Sequence, residues 1–358
     1  MTNSSDPANE PPARKIDLWS GGWALIASGL LCLGVIVWHV SLMIRSVTAP
    51  PTGDGKNIGT YSFDLSNFTL DPNLLSPGRK KDGIHSINDP ETVPGEIVLH
   101  IPGSRGRGHL IVTGDRVIGV SIGGESRAYP LRIMNWHEIV NDTLGGVPIA
   151  VTYSALCDSV VVFDRRAGGE TLEFGGSGLL YNSNLVMFDR REDKSQESLW
   201  SQLLGTAIAG RAATANSHLQ ILPCEVVGWG DWHKSHPETT MIKPDKMYLS
   251  IYKREPYSTY YASKHLKFKA APLPPDPETH KDRLIIVGTG DRQIAFPFQE
   301  IAAKADGEGK WNHTIDGKEV QFTYRDKPPS VKVKPSSPED QLEIIYTFRF
   351  AWYAMQKL

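Results

Sequence analysis

Apolar and polar positions fall into two regimes along this chain. From Leu18 to Ile44 no Asp, Glu, Lys or Arg interrupts the run, which includes WSGGWALIASGLLCLGVIVWHVSLMI. A bilayer core needs about 20 mainly apolar residues to be crossed by a helix. The run therefore predicts a transmembrane helix over residues 18–45, preceded by a short tail (1–17). Trp19, Trp23 and Trp38 lie toward its ends, where indoles favour the membrane interface, and Pro50 and Pro51 halt further helix. A cleaved signal peptide is the competing reading. Its apolar region would be only about 7–15 residues long, and the one tempting cut, after Val47-Thr48-Ala49, is followed by Pro50. Arg14 and Lys15 before the run balance Arg45 and Lys56 after it. A short tail followed by a large globular region fits a single-pass cell-membrane anchor with the domain outside the cytoplasm. His39, in the outer part of the span, can reach the headgroups.

Beyond the run, the pattern becomes short apolar stretches broken by turn residues. Residues 46–80, rich in Gly, Pro, Ser and Asn, read as a stalk wrapping onto the domain. Strands are predicted at Ile97–Ile101, Leu110–Val112, Val117–Ser121, Arg127–Tyr129, Val147–Tyr153, Val160–Phe163 and Leu185–Phe188. A second series follows at Val226–Trp229, Leu284–Val287, Ile294–Phe296, Val320–Tyr324 and Ile344–Phe350. Ile133, Trp136, Ile139 and Val140 are spaced for one buried helical face over Leu131–Val140. Residues 326–340 read as an exposed loop.

The pattern also repeats. Asp115–Leu131 reads DRVIGVSIGGESRAYPL and Asp282–Phe298 reads DRLIIVGTGDRQIAFPF, so that Asp, Arg, Val, Gly, Ala and Pro coincide without a gap. Each copy then runs through a predicted helix into a turn and strand, GGVPIAVTY in one and DGKEVQFTY in the other. The fold expected is mainly β (a β-rich α+β chain) with two related β-α-β-β units, residues 81–270 and 271–358. The two Asp-Arg segments should form equivalent strands, with Ala128-Tyr129-Pro130 and Ala295-Phe296-Pro297 at corresponding turns.

Composition agrees and narrows the function. The 358 residues are 40% hydrophobic and 22% charged, enough apolar content for folded structure over about two domains. The 33 Gly and 25 Pro supply many turns. A formal charge of −2 argues against a nucleic-acid partner, which calls for a basic face. The membrane, through residues 18–45, is the one partner that the sequence indicates; it names no protein partner.

Candidate chemistry centres on the first copy. In WHEIVND (136–142) a helix would place His137 with Asn141, and Glu138 with Asp142, on shared faces, although the zinc pattern HExxH is broken by Asn141. The bland alternative makes Asn141 and Asp142 a helix end. Cys157 should sit in the tight connection between the strands ending at Tyr153 and starting at Val160. It could pair with Cys224 in a disulfide, be a buried free thiol, or act as ligand or nucleophile. Thiolate Cys157, imidazole His137 and thioether Met187 would together suit copper, with Glu138 or Asp142 orienting the ligands. A thiol beside an imidazole would have a lowered pKa. FGGSGLLYNSNLVMFDR (174–190) lacks the GK[ST] of a phosphate loop. Its YNSN turn either satisfies its own backbone or, through Tyr181, Asn182 and Asn184, forms a pocket wall. Trp200, Trp229, Trp232, His233 and His236 read as structural, and no Ser-His-Asp order stands out.

In WHEIVNDTLGGVPIAVTY, LLYNSNLVMFDR and LWSQLLGTAIAG the chain resembles the prokaryotic family called domain of unknown function 3179, from about Lys81–Gly83 through Tyr257. Kinship with that family implies an exported or membrane-anchored protein. Many members carry Cys-Pro-Leu-Cys where this chain has Ser154-Ala155-Leu156-Cys157, keeping only the second Cys. The function expected is an anchored binding module in an envelope process, copper being the favoured ligand. The alternatives are an enzyme with Cys157 as nucleophile and His137 as base, and an assembly factor for a membrane partner.

Overall fold

The computed structural model describes residues 22–48, 53–103, 106, 108–290 and 292–356. It divides into two compact units, Met1–Pro51 and Thr52–Leu358. In the first, a 26-residue helix covers Trp23–Thr48 and exposes Ile26, Leu30, Leu33, Val37 and Val40. Among the residues whose side chains are described, which in this helix run without interruption over 26–41, no helix is long and apolar enough to cross a membrane. The expected tail, Trp19, Pro50 and Pro51 lie outside the described residues.

The second unit is built from β-sheets, two of eight strands and one of five among the described residues. The central sheet runs Gln293–Pro297, Arg283–Gly288, Glu343–Phe348, Ser159–Asp164, Val147–Ser154, Ile139–Leu144, Ile87–Asn88, with the short Ile221–Leu222 also paired to Ser159–Asp164. Alternate residues of its strands serve two different cores. Val160, Val162, Ile285, Val287 and Ile344 enter one, whereas Val161, Phe163, Leu284, Ile286 and Ile345 enter the other. Successive strand residues point to opposite faces, so a sheet covered on both sides needs apolar residues at every position. That is why SVVVFD (159–164), buried throughout, shows no alternation.

The front sheet runs Lys310–Ile315, Lys318–Asp326, Pro329–Pro335, Glu225–Gly228, Arg116–Ile122, Glu125–Pro130, Thr240–Ile242, Thr92–Pro94. Together the two sheets display the duplication. Ile118 pairs with Tyr129 in the first opening hairpin, as Ile285 pairs with Phe296 in the second. Pro130 and Pro297 then cap the helices Leu131–Met134 and Phe298–Lys304. A second hairpin and a third strand follow in each copy, Tyr153 pairing with Val160 and Tyr324 with Val331. A closing strand returns beside the opening one: Val226 meets Ile118, and Tyr346 meets Ile285. Each closing strand leads into a helix, Trp229–Ser235 or Arg349–Met355.

The copies exchange parts. The front sheet holds the opening hairpin and closing strand of copy one beside the second hairpin and third strand of copy two. The central sheet holds the converse set. The contacts that join them are equivalent: Val226 with Val331, and Tyr346 with Val160. The boundary at 270/271 thus separates the copies in sequence but not in space. Between third and closing strands, copy one inserts residues 165–224 where copy two has only 336–342. The insertion builds most of the five-stranded sheet, in the order Leu75–Pro77, Phe174–Tyr181, Asn184–Asp189, Leu199–Ser201, Ala207–Ala209. Leu75–Pro77 comes from the expected stalk, whose Tyr61, Leu74 and Leu75 are buried.

Several expected elements differ. Ile97–Ile101 lies in a 3-10 helix over Gly95–His100, and Leu110–Val112 forms no strand. The helix expected over Leu131–Val140 ends at Met134, and Ile139–Leu144 is a strand. The β-branched pair Ile139-Val140 fits a pleated surface better than a helix end. The expected loop at 326–340 contains the strand Pro329–Pro335, with Ser330, Val331 and Val333 buried. Trp229 and Arg349-Phe350 open helices rather than close strands.

Candidate functional site

Cys157 sits, as expected, in the connection between Val147–Ser154 and Ser159–Asp164, its amide bonding Ser154 O at 3.1 Å. It is fully buried, and its thiol donates to the Ser183 carbonyl at 3.4 Å. Both Cys157 and Cys224 are free, which removes the disulfide reading. Burial pushes the Cys157 thiol up to about 12, opposite to the lowering expected beside an imidazole. A protonated, inaccessible thiol is a poor ligand and a poor nucleophile.

His137 lies in the turn after Met134 rather than on a helix. Its Nδ1 meets the His85 carbonyl at 2.9 Å and its Nε2 meets the Tyr252 hydroxyl at 2.8 Å. A carbonyl can only accept, so Nδ1 carries the proton and Nε2 accepts from Tyr252. Burial lowers its pKa and keeps it neutral. With both ring nitrogens and the Cys157 thiol engaged elsewhere, the expected Cys–His pair is not formed. Met187 is buried in the core beside the insertion sheet, opposite Gly176 and Trp200. Among the described residues no group of three or more His, Cys, Asp or Glu is placed to hold a metal ion.

The remaining candidates hold the fold together. Asp142 accepts from Arg127 Nη1 at 2.7 and 2.8 Å and from the Tyr129 hydroxyl at 2.7 Å. Its neighbour Asn141, expected to share the face of His137, instead pairs with the backbone N and O of Phe174 at 2.9 and 2.8 Å. That imitates a strand partner and fastens the central sheet to the insertion. Asn182 and Ser183 form the tip of a hairpin at φ 50° and 64°, the left-handed pair that a tight hairpin turn demands. Asn184 donates to Ser159 Oγ at 3.0 Å and Gln202 Oε1 at 2.8 Å, and Tyr181 packs against Phe68. YNSN thus forms a turn and, through Asn184, a buried polar network, while the Tyr181 hydroxyl and Asn182 Nδ2 are buried without a partner. Likewise Trp232 stacks on His236 and donates to Thr239 Oγ1 at 2.9 Å.

Glu138 is different. Its amide still bonds Met134 O at 2.8 Å, while its carbonyl accepts from Tyr153 N at 2.7 Å. Joining helix end to strand start in one residue forces φ to 58°, a conformation that costs a non-glycine residue about 1–2 kcal/mol. Such strain concentrates at functional sites. The carboxylate makes no hydrogen bond among the described residues. It lines a cavity of about 340 Å³ with Arg79, Leu156, Tyr257, Lys267 and Phe268. Burial raises its pKa to about 7, with Arg79 opposing the rise. Burial and Glu138 raise the pKa of Tyr257, with Arg79 opposing the rise. A second lobe of about 300 Å³ shares Arg79, Tyr257 and Lys267 and adds His85 and Trp136. Asn135 Oδ1 and Trp136 Nε1, from residues lining that lobe, are buried without a partner. Buried polar atoms left unpaired call for a bound water or ligand.

Of this cleft, the sequence indicated only Glu138. Arg79 comes from the stalk, and Tyr257 and Lys267 come from the end of the first unit, after the strand Thr240–Ile242, with no local motif to mark them. A second polar centre, not indicated by the sequence, lies where the two copies meet. Asp158, at φ 43° and buried, accepts from Arg116 Nη1 at 3.1 Å, Arg283 Nε at 2.7 Å and the Tyr153 hydroxyl at 3.0 Å. Arg116 and Arg283 are the equivalent arginines of the two Asp-Arg segments.

A family model described as "Protein of unknown function (DUF3179)" matches residues 81–354, so the chain belongs to that family. The match runs through both copies and extends well beyond Tyr257. No curated protein and no solved structure matches the chain.

Proposed function

We propose that this member of the DUF3179 family is a membrane-anchored binding module for a small organic anion with an apolar body. The observation that carries the reading is Glu138, a strained residue whose unpartnered carboxyl faces a cleft shared with Arg79 and Lys267. Arg79 and Lys267 would take the anionic group, and protonated Glu138 would donate to it. Leu156, Leu185 and Phe268 offer the apolar wall, the usual division of labour in small-ligand sites. The charge-free run from Leu18 to Ile44 and the exposed apolar side chains of Trp23–Thr48 support an anchor, with the domain on the outer face of the cell membrane serving an envelope process.

Octanoate is a suitable probe, titrated calorimetrically into the full chain in lipid nanodiscs. Binding should be tighter below the Glu138 pKa of about 7 than above it, because an ionised Glu138 repels the ligand carboxylate. Arg79→Ala should weaken binding about tenfold or more, as loss of a charged hydrogen bond does, and Glu138→Gln should abolish the pH dependence. Octanoate binding indifferent to both substitutions, or absent at either pH, would overturn the reading.

A further inference from the structure

The duplication creates a second cavity whose use differs between copies. In copy one, Asp115, Arg116, Arg132, Tyr153 and Tyr261 line a space of about 230 Å³. In copy two, the equivalent Asp282, Arg283, Gln299 and Tyr324 line a space of about 520 Å³, again with Tyr261. Tyr261 therefore borders two cavities of common origin.

The chain satisfies the smaller one itself. Arg116 directs Nη1 to both Asp158 oxygens at 3.1 Å, and Arg132 holds Asp115 at 2.7 Å and reaches Glu255 at 3.7 Å. The larger one is less completely satisfied. Gln299 replaces Arg132 and reaches Asp282 through a 3.2 Å amide contact, and Arg349 Nη2 pairs with the other oxygen of the same carboxylate at 3.2 Å, leaving Arg283 as the arginine with an unused edge. Arg283 engages Asp158 side-on through Nε at 2.7 Å. Its two terminal nitrogens make no hydrogen bond among the described residues, and its side chain is 29% exposed against 18% for Arg116. Asp158 thus fixes the guanidinium by one edge and leaves the other edge unused. Lys281, whose ammonium is held by the carbonyls of Ser263 and His265 at 2.6 and 3.0 Å, adds positive charge to the same cavity.

A guanidinium edge held in place matches the two oxygens of a carboxylate or phosphate. We infer that this cavity is a binding site for a small oxyanion, a carboxylate or a phosphate, taken bidentately by Arg283 with Gln299 and Tyr324 beside it. The site is independent of the Glu138 cleft and stands whether or not that reading holds.

Inorganic phosphate and succinate, titrated separately into the full chain in nanodiscs, test the inference and distinguish the two anions. Saturable binding of one or both is expected. Arg283→Lys keeps a charge for Asp158 but loses the planar edge, and should weaken binding about tenfold or more. Gln299→Glu, which leaves Asp158 and its arginines untouched, should weaken it comparably by placing a like charge in the cavity. Arg79→Ala should change nothing. If neither anion binds, or if binding survives Gln299→Glu in a folded protein, the inference is wrong.

Discussion

Asp158→Asn isolates the charge at the point where the two copies meet. Asparagine tolerates the left-handed backbone that Asp158 adopts at φ 43°, and it retains an oxygen for the Tyr153 hydroxyl. The substitution therefore removes the charge and little else. In the native protein burial alone would raise the Asp158 carboxyl; Arg116 and Arg283 outweigh it and hold the pKa below the ordinary range. Its side chain is 1% exposed, and those of Arg116 and Arg283 are 18% and 29% exposed. Breaking a buried pair from one side typically costs about 3–5 kcal/mol. The retained amide oxygen and the exposure of Arg283 place the expectation near the lower end, about 3 kcal/mol. Urea unfolding should show it as a lower midpoint at unchanged m value. The pH dependence has a definite sign. A depressed native pKa contributes stability that is complete above the unfolded value of about 3.9 and is lost as pH falls below it. The wild-type advantage over Asp158→Asn should thus be full at pH 6 and shrink below about pH 4. A loss under about 1 kcal/mol, within the range of an exposed ion pair, or an advantage constant down to pH 2, would refute the argument.

Cys157 should resist a thiol reagent at pH 8 in the native protein and react only on unfolding, since burial pushes it to about 12; prompt native labelling would restore it as a reactive group. Gly119→Ala should destabilise by about 3 kcal/mol, because a Cβ there overlaps the buried Trp232 ring, and a thermal midpoint within a degree of wild type would show that the ring can move aside.

The strands were legible where one rule governed them. Val117–Ser121 and Leu284–Val287 are apolar, β-branched and bounded by turn residues, and both are strands in the duplicated hairpins. The repeat was legible because the same hairpin needs the same residues twice. WHEIVND misled because Ile133, Trp136 and Ile139 fit a helical period, while the β-branched pair that starts the strand is too short to show a period of its own. The YNSN cluster looked like a site because turn residues and ligand-binding residues are the same polar types. Only the three-dimensional position, inside the hairpin and under the central sheet, separates the uses. The cleft was illegible for another reason. Arg79, Glu138 and Lys267 stand far apart in sequence, and the left-handed backbone of Glu138 follows from tertiary packing rather than from any residue near it.

The exchange of strands between copies also sets an order on synthesis. Ser159–Asp164 is made early, yet its neighbour at Val160 is Tyr346, roughly 180 residues later. At about 5–20 residues per second, the ribosome needs some 10–40 s to supply it. Glu225–Gly228 waits in the same way for Val331. During that interval largely apolar strands have unpaired edges, which recruit other chains readily. Low contact order is what spares most nascent domains this exposure, and here topology forbids it. A product truncated before residue 329 would lack both Pro329–Pro335 and Glu343–Phe348 and hold both incomplete sheets indefinitely, and aggregation or proteolysis rather than a folded first half is its expected fate.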